Sequence, residues 1–266
     1  MLAPIPATKL NEVIECFGVP CYKDLNAFSK IGKKKAELKR AMQALLSSDP
    51  VTGHTGLGII YIYENQKILS LNEFRLACEK SNFGANQAMH YGNALFIYGH
   101  FDEAVEVYLK IIYQNRNDQD KFQRIVKRLS EFCFEDEVKH VLEMSYVTRI
   151  MNEETKNDIK QGVAIRMHLE KFNISLDFYR SVRQSVDKVF FYYFSLPTQV
   201  DCTTHFDLDN LTYTLELNDT LFEEDPLLII SKMNDELQEL LIDVYEQHDI
   251  DFGSEQDRIT VYFNLV

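Results

Sequence analysis

Seven histidines, five cysteines and a heavily acidic last quarter are the residues of this 266-residue chain whose chemistry invites a functional reading. Catalysis needs groups with matched tasks in one pocket, and a sequence offers only candidates for them. His54, His90, His100, His140, His168, His205 and His248 are dispersed. None belongs to a zinc-protease helix motif, and no G-x-S-x-G elbow occurs. His90 and His168 fall in helical stretches, where a packing imidazole explains them better than a catalytic base. Cys202 and His205, near Asp201 and Asp207, come nearest to a metal or nucleophile cluster. A structural zinc site closes four N or S ligands, and Cys16 and Cys21 have the wrong gap to complete this one. Asp249, Asp251, Gly253, Glu255 and Asp257 resemble half of a calcium loop. The glycine is one place early, the terminal bidentate Glu is missing and a strand follows, so an acidic turn is the better account. Gly53, Gly56 and Gly58 suggest a phosphate cradle, yet they lack the Lys-Ser/Thr pair and run from helix to strand, the reverse of the P-loop order. No catalytic residue, metal site or cofactor is therefore expected.

Positioning these residues requires a folded core, and 45% apolar content over 266 residues is enough for one to two domains. No apolar stretch approaches the ~20 residues of a membrane span, and Met1 to Pro6, then Thr8 and Lys9, lacks the order of a signal peptide. A soluble, cytoplasmic protein without membrane contact is expected. Five scattered cysteines, Cys16, Cys21, Cys78, Cys133 and Cys202, suit a reducing compartment. The net charge of -13 is unevenly placed: from Asp201 onward 17 Asp and Glu face only Lys232 and Arg258, a balance of -15, whereas the first 200 residues stand at +2. Such a module does not bind nucleic acid directly, because phosphates need Lys and Arg to displace counterions. The cluster Lys30, Lys33, Lys34, Lys35, Lys39 and Arg40 reads as the wet face of a helix.

Three segments emerge. Residues 1–84 read as mixed α/β: a helix over Lys33 to Leu46, a glycine loop, a strand at Ile59 to Tyr63, and a helix opened by a Ser70/Glu73 capping box. Residues 85–187 are helical and repetitive. In 188–266, Val189 to Leu196, Leu211 to Leu217 and Arg258 to Val266 read as strands, with a helix from Pro226 to His248 before the last. This predicts a β-β-α-β domain with a mostly antiparallel sheet, and an α+β fold overall. Along the helix, Leu227, Ile230, Met233, Leu237, Leu240, Leu241 and Val244 form a buried stripe, and Asp235, Glu239, Asp243 and Glu246 an acidic surface on another face.

Within the central segment, Ala88, Gly92 and Ala104 allow two helices to approach closely, Tyr91, Leu95, Phe101, Tyr108 and Ile111 fill around them, and Gly99 and His100 mark the break. Gly92, Gly99, Phe101, Ala104 and Tyr108 resemble the tetratricopeptide repeat in their spacing. Thirty-four residues on, Val138 and Leu142 stand where Ala104 and Tyr108 stood, with Val126 and Cys133 in place of the two glycines. A third pair, about Thr155 to Lys171 and Ile174 to Val186, fits with one residue of slippage per repeat, Gly162 and Phe178 taking the small and aromatic places.

The resemblance implies that the first helix of each pair lines a concave surface, carrying Asn86, Met89, Asn93, Phe96 and Ile97, then Gln123, Arg124, Lys127 and Glu131. Asn93 occupies a place where some family members clamp a peptide carboxylate, and Met89 replaces the clamp's lysine. The expected function is a non-enzymatic adaptor or chaperone-like protein that holds a helix or peptide of another protein. One alternative is a decoy whose acidic domain fills the nucleic-acid site of a basic protein. Another is an enzyme of unknown class, assembled from distant residues.

Overall fold

The protein is described by a computed structural model that covers residues 6–18, 22, 23, 30–144, 147–195, 202–206, 209–222, 225–251, 253, 254 and 258–266. Helices α1 (Pro6–Phe17), α2 (Lys30–Leu45), α3 (Pro50–Tyr63), α4 (Lys67–Lys80), α5 (Ala85–Ile97), α6 (Phe101–Gln114), α7 (Gln119–Glu131), α8 (Glu135–Leu142), α9 (Val147–Ile150), α10 (Glu153–Lys171) and α11 (Leu176–Tyr193) precede a small C-terminal sheet. The sheet is made of β1 (Cys202–Phe206), β2 (Leu211–Leu217) and β3 (Ile259–Leu265), with α12 (Pro226–Gln247) between the last two. Two compact units form, Met1–Val107 with Phe190–Gln199, and Tyr108–Val189 with Val200–Val266; α6 and α11 run through the divisions.

In the first unit α3 is the central element, packed by α1, α2, α4 and α5. The strand expected at Ile59 to Tyr63 and the loop expected at Gly53, Gly56 and Gly58 both lie inside it, so the described part of residues 1–84 holds helices rather than a mixed α/β arrangement. The start signals are local: Pro50 sits in the first turn and Asp49 caps it, its carboxylate accepting from the Thr52 N–H at 3.2 Å. Each helical glycine sacrifices about 1 kcal/mol of propensity relative to alanine. Close packing offsets that loss. A Cβ on Gly58 would lie 2.6 Å from the Phe74 ring, and one on Gly53 2.9 Å from the Met42 carbonyl oxygen. Leu57, Ile59, Ile60 and Ile62 are buried around the same helix. A helix apolar all round has no 3.6-residue stripe, and its β-branched tail then imitates a strand. The capping box is corrected too. Ser70 lies one turn inside α4, buried, its hydroxyl donating to the Gly58 carbonyl at 3.2 Å.

Also in this unit, Lys23 is buried against the end of α11. Its backbone N–H donates to the Tyr193 carbonyl at 2.6 Å, its Nζ to the Phe191 carbonyl at 2.6 Å, and the ammonium lies 4.0 Å from the Phe191 ring centre. The last carbonyls of a helix lack intrahelical partners and carry partial negative charge, so a lysine there acts as a cap supplied by a distant segment.

A common turn joins the two helices within each of the pairs α3–α4, α5–α6 and α7–α8. Asn65, Gly99 and Cys133, each 34 residues after the last, adopt left-handed φ values of 55°, 77° and 55°. Each turn is closed by a backbone bond of the helix-terminating kind: Gln66 N–H to Tyr61 O at 2.8 Å, His100 to Leu95 at 2.9 Å and Phe134 to Leu129 at 2.9 Å. Helices α3, α5 and α7 end, and α4, α6 and α8 begin, on the same spacing. Asn173, at φ 53°, repeats the turn between α10 and α11, but 40 residues after Cys133. The slippage expected for the third pair is thus too small, because α9 and the longer α10 intervene. The repeat, conversely, begins one pair earlier than the sequence indicated.

In the second unit α10 crosses α7 closely at Gly162, where a Cβ would lie 2.7 Å from the Ser130 carbonyl oxygen. The stretch Val189 to Leu196, expected as a strand, continues α11 as far as Tyr193. Its apolar residues extend the buried series Phe178, Val182, Val186, Val189, Phe190 and Tyr193 at helical spacing, which overrides the β-propensity of an aromatic run. The element order β-β-α-β survives, with β1 as the first strand. The sheet is mixed. β1 pairs antiparallel with β2, Cys202 opposite Leu215, whereas β2 pairs parallel with β3, Leu211 opposite Ile259. The mostly antiparallel expectation fails on the second pairing, because a helix crossover between neighbouring strands returns the chain in the same direction. From α12, Ile230, Met233, Leu237, Leu241 and Val244 are buried as expected, whereas Leu227 is 66% exposed.

Candidate functional site

The histidines do not converge; the described contacts place most of them in separate packing roles. His54 Nδ1 lies 2.7 Å from Glu73 across α3 and α4, and His90 stacks on Phe74. His140 contacts Tyr113, and His100 and His205 are exposed. His168 is 7% exposed, with Nε2 3.0 Å from the Arg258 carbonyl, and burial holds its imidazole below the usual range. His248 Nε2 meets the Ser181 hydroxyl at 3.2 Å. A nucleophile–base dyad also needs a group that orients the base; among the described residues the His248 ring has only the Phe178 ring beside the serine.

Asp201 and Asp207 lie outside the described residues, as does the Cys202 side chain; the Cys202 backbone pairs with Leu215. The acidic turn after α12 is a helix terminus. Asp249 takes the left-handed conformation, φ 55°, and Ile250 N–H closes on the Tyr245 carbonyl at 3.0 Å; Glu255 and Asp257 are outside the described residues. Among the described residues no group of three His, Cys, Asp or Glu side chains stands close enough to hold a metal ion.

Of the residues expected to line a groove, Met89, Phe96 and Ile97 are 8%, 0% and 5% exposed and belong to the core of the first unit. An open face formed by these three is therefore corrected: they occupy the buried side of α5, which holds eight buried residues out of thirteen. Asn86 is exposed and Asn93 half-buried. On α7, Arg124 is exposed beside Asp120 at 3.7 Å, Lys127 is half-buried, and Gln123 accepts from Asn152 at 3.0 Å. From the expected set, Asn86 and Asn93 of α5 in the first unit and, separately, Arg124 and Lys127 of α7 in the second keep solvent exposure. Asp235, Glu239, Asp243 and Glu246 are all exposed along α12.

Sequence reasoning missed a buried ionic cluster in the second unit. Arg183, 1% exposed on α11, donates through one guanidinium nitrogen to the Tyr179 hydroxyl at 3.2 Å and through another to the Tyr213 hydroxyl of β2 at 2.9 Å. Its guanidinium carbon sits 3.6 Å from the Tyr213 ring centre, and Glu131 lies 3.8 Å away. Arg128 bridges Asp187 at 3.3 Å and Glu131 at 3.5 Å. Two cations and two anions balance. Burial raises the Asp187 carboxyl above the ordinary carboxylate range, opposed by Arg128 and Arg183; burial also works against the Arg128 charge, but Asp187 and Glu131 outweigh it and raise that guanidinium. The network joins α7, α11 and β2. With Arg183 sealed from solvent it positions elements rather than meeting a ligand. A signal was present: Arg183 and Asp187, four apart, share a stripe with Tyr179 and Phe190.

Near it, Asp158 on α10 has one carboxylate oxygen buried without a hydrogen-bond partner. Its carboxyl is pushed up to about 6, mainly by burial, with Lys127 opposing and Glu131 and Glu154 adding to the rise.

Among described residues no helix is long and apolar enough to cross a membrane. Comparison of the chain with known protein families, curated proteins and solved structures finds no match.

Proposed function

We propose that this chain is a non-enzymatic interaction protein, adaptor or chaperone-like, in which a tetratricopeptide-type helix stack presents helix faces to another protein. The observation that carries this reading is the 34-residue spacing of the Asn65, Gly99 and Cys133 turns, a period shared with that family. Stacked helix pairs of that period bury one side of each helix and leave a ridge of first-helix residues outward. In the second unit the outward residues are Arg124 and Lys127 of α7, and these two cations favour acidic groups on a helix or extended peptide; in the first unit they are Asn86 and Asn93 of α5. The test is affinity purification with the Arg124→Glu, Lys127→Glu double variant. It should still unfold cooperatively as a folded protein and lose a co-purifying protein; capture at parental levels would overturn the assignment.

A second reading is favoured by the acidic ridge of α12. Asp235, Glu239, Asp243 and Glu246 are exposed, and no ion pair among the described residues compensates them. A basic nucleic-acid-binding protein is the complementary partner. Such a complex weakens steeply with added salt, over a Debye length of roughly 8 Å at physiological ionic strength, and is displaced by DNA or RNA. A salt-insensitive partner excludes this reading and leaves the first.

A further inference from the structure

The edge of the C-terminal sheet carries a device of its own. Flanking β3, the Arg258 carbonyl accepts from Leu211 N–H at 2.9 Å, and Val266 N–H donates to the Leu217 carbonyl at 3.0 Å, at the two ends of the parallel ladder. Backbone groups alternate in direction along a strand. Even-numbered residues of β3 therefore turn their N–H and C=O toward β2, and Ile259, Val261, Phe263 and Leu265 turn theirs to the free edge. At Phe263 that edge is occupied. The Asn234 side chain of α12 accepts from the Phe263 N–H at 2.8 Å and donates to the Phe263 carbonyl at 3.1 Å, as the backbone of a further strand would.

We infer that Asn234 is an edge guard, which holds the sheet at three strands by filling the backbone pair through which β3 of a second copy would dock. The sequence of β3 explains the need for one. Ile-Thr-Val-Tyr-Phe-Asn-Leu is β-prone, uncharged and free of proline and glycine, the composition of a segment that pairs with its own kind. An antiparallel pair of two β3 strands centred on Tyr262 brings Val261 opposite Phe263 and Thr260 opposite Asn264, with no like charges facing. Among the described residues no other group takes that edge, and the guard splits its rungs into Ile259 and Val261 on one side and Leu265 on the other. Its removal makes four consecutive rungs available.

The experiment uses the full chain. Asn234→Ala should double in mass by sedimentation at high protein concentration relative to the parent, and more readily with added salt, which screens the acidic units from one another. Adding Tyr262→Lys, whose charge falls on the outer face of the edge strand, should return it to the parental mass. Parental mass in a folded Asn234→Ala protein, or association that Tyr262→Lys leaves intact, overturns the inference. If Asn234→Ala does not fold, amide exchange on the parent decides: Phe263 should exchange roughly 3- to 10-fold more slowly than Val261, the worth of one hydrogen bond, and equal rates overturn the guard.

Discussion

At the close approaches of α3 in the first unit the side chain is absent: Gly53 and Gly58 leave room for the Met42 backbone and the Phe74 ring. In the second unit the corresponding role, fixing one element against others in the interior, falls to Arg183, among the largest side chains in the molecule and sealed at 1% exposure. The first arrangement is set by shape and tolerates no added volume. The second is set by charge balance and tolerates no missing partner. Buried ion pairs contribute little net stability compared with apolar residues, because desolvation nearly cancels attraction, but they make any mispaired arrangement costly. The difference teaches that this small sheet is placed on its helices by selectivity as well as by apolar area.

Removing one charge should give the largest effect. Arg183→Met keeps length and apolar bulk but leaves Glu131 and Asp187 sharing Arg128, and should cost about 3–5 kcal/mol in denaturant unfolding. Adding Glu131→Gln should recover part of this, since the surplus anion disappears. A loss below about 1 kcal/mol, or no recovery, would mean that the cluster is incidental to the fold.

Gly58→Ala sharpens the other side of the comparison, because two effects there oppose in sign. Helix propensity favours alanine by about 1 kcal/mol. Overpacking against Phe74, itself 1% exposed, costs about 1–3 kcal/mol. The net expectation is destabilisation of about 1 kcal/mol, with the melting temperature as readout; a more stable variant would show that the α3–α4 contact yields easily.

Legibility followed the same divide. Helices with one buried stripe, α6, α7, α10 and α12, were readable because burial writes a 3.6-residue period into the sequence. β2 and β3 were readable by alternation, and β3 does alternate buried and exposed from Ile259 to Asn264. Where a segment is buried on all sides, as in α3 and the end of α11, the period vanishes and only composition remains, which misled at Ile59 to Tyr63 and at Val189 to Leu196. β1, Cys-Thr-Thr-His-Phe, offered chemistry-bearing residues and was weighed as a metal cluster instead of a strand. The parallel pairing was implicit in a helix lying between two strands. The exposure of Asp235, Glu239, Asp243 and Glu246 was legible because charged residues three or four apart fall on one helix face. Of the ionic cluster only the Arg183–Asp187 spacing on α11 was legible, because Arg128 and Asp187 lie 59 residues apart and only the fold brings them together.

The smallest expected effect concerns Asp158, at the α7–α10 crossing that combines both strategies, a glycine contact at Gly162 and a charge under partial burial. Its carboxyl stands at about 6 in the folded protein against an ordinary value of 3.8. The folded state therefore holds this proton more tightly than the unfolded chain does. The stability so contributed is fully present below about pH 4 and is lost as pH rises to about 6. A rise of that size corresponds to about 3 kcal/mol, and solvent screening of a partly exposed group reduces this to about 1 kcal/mol. Asp158→Asn, which never ionises, should accordingly be more stable than the parent by about that amount at pH 7 and equal to it near pH 4. Denaturant midpoints at pH 4, 5.5 and 7 measure the difference. A gap between the two proteins that does not widen with pH would assign the buried oxygen to a satisfied contact and remove charge from the account of this crossing, leaving the close approach at Gly162 to explain it alone.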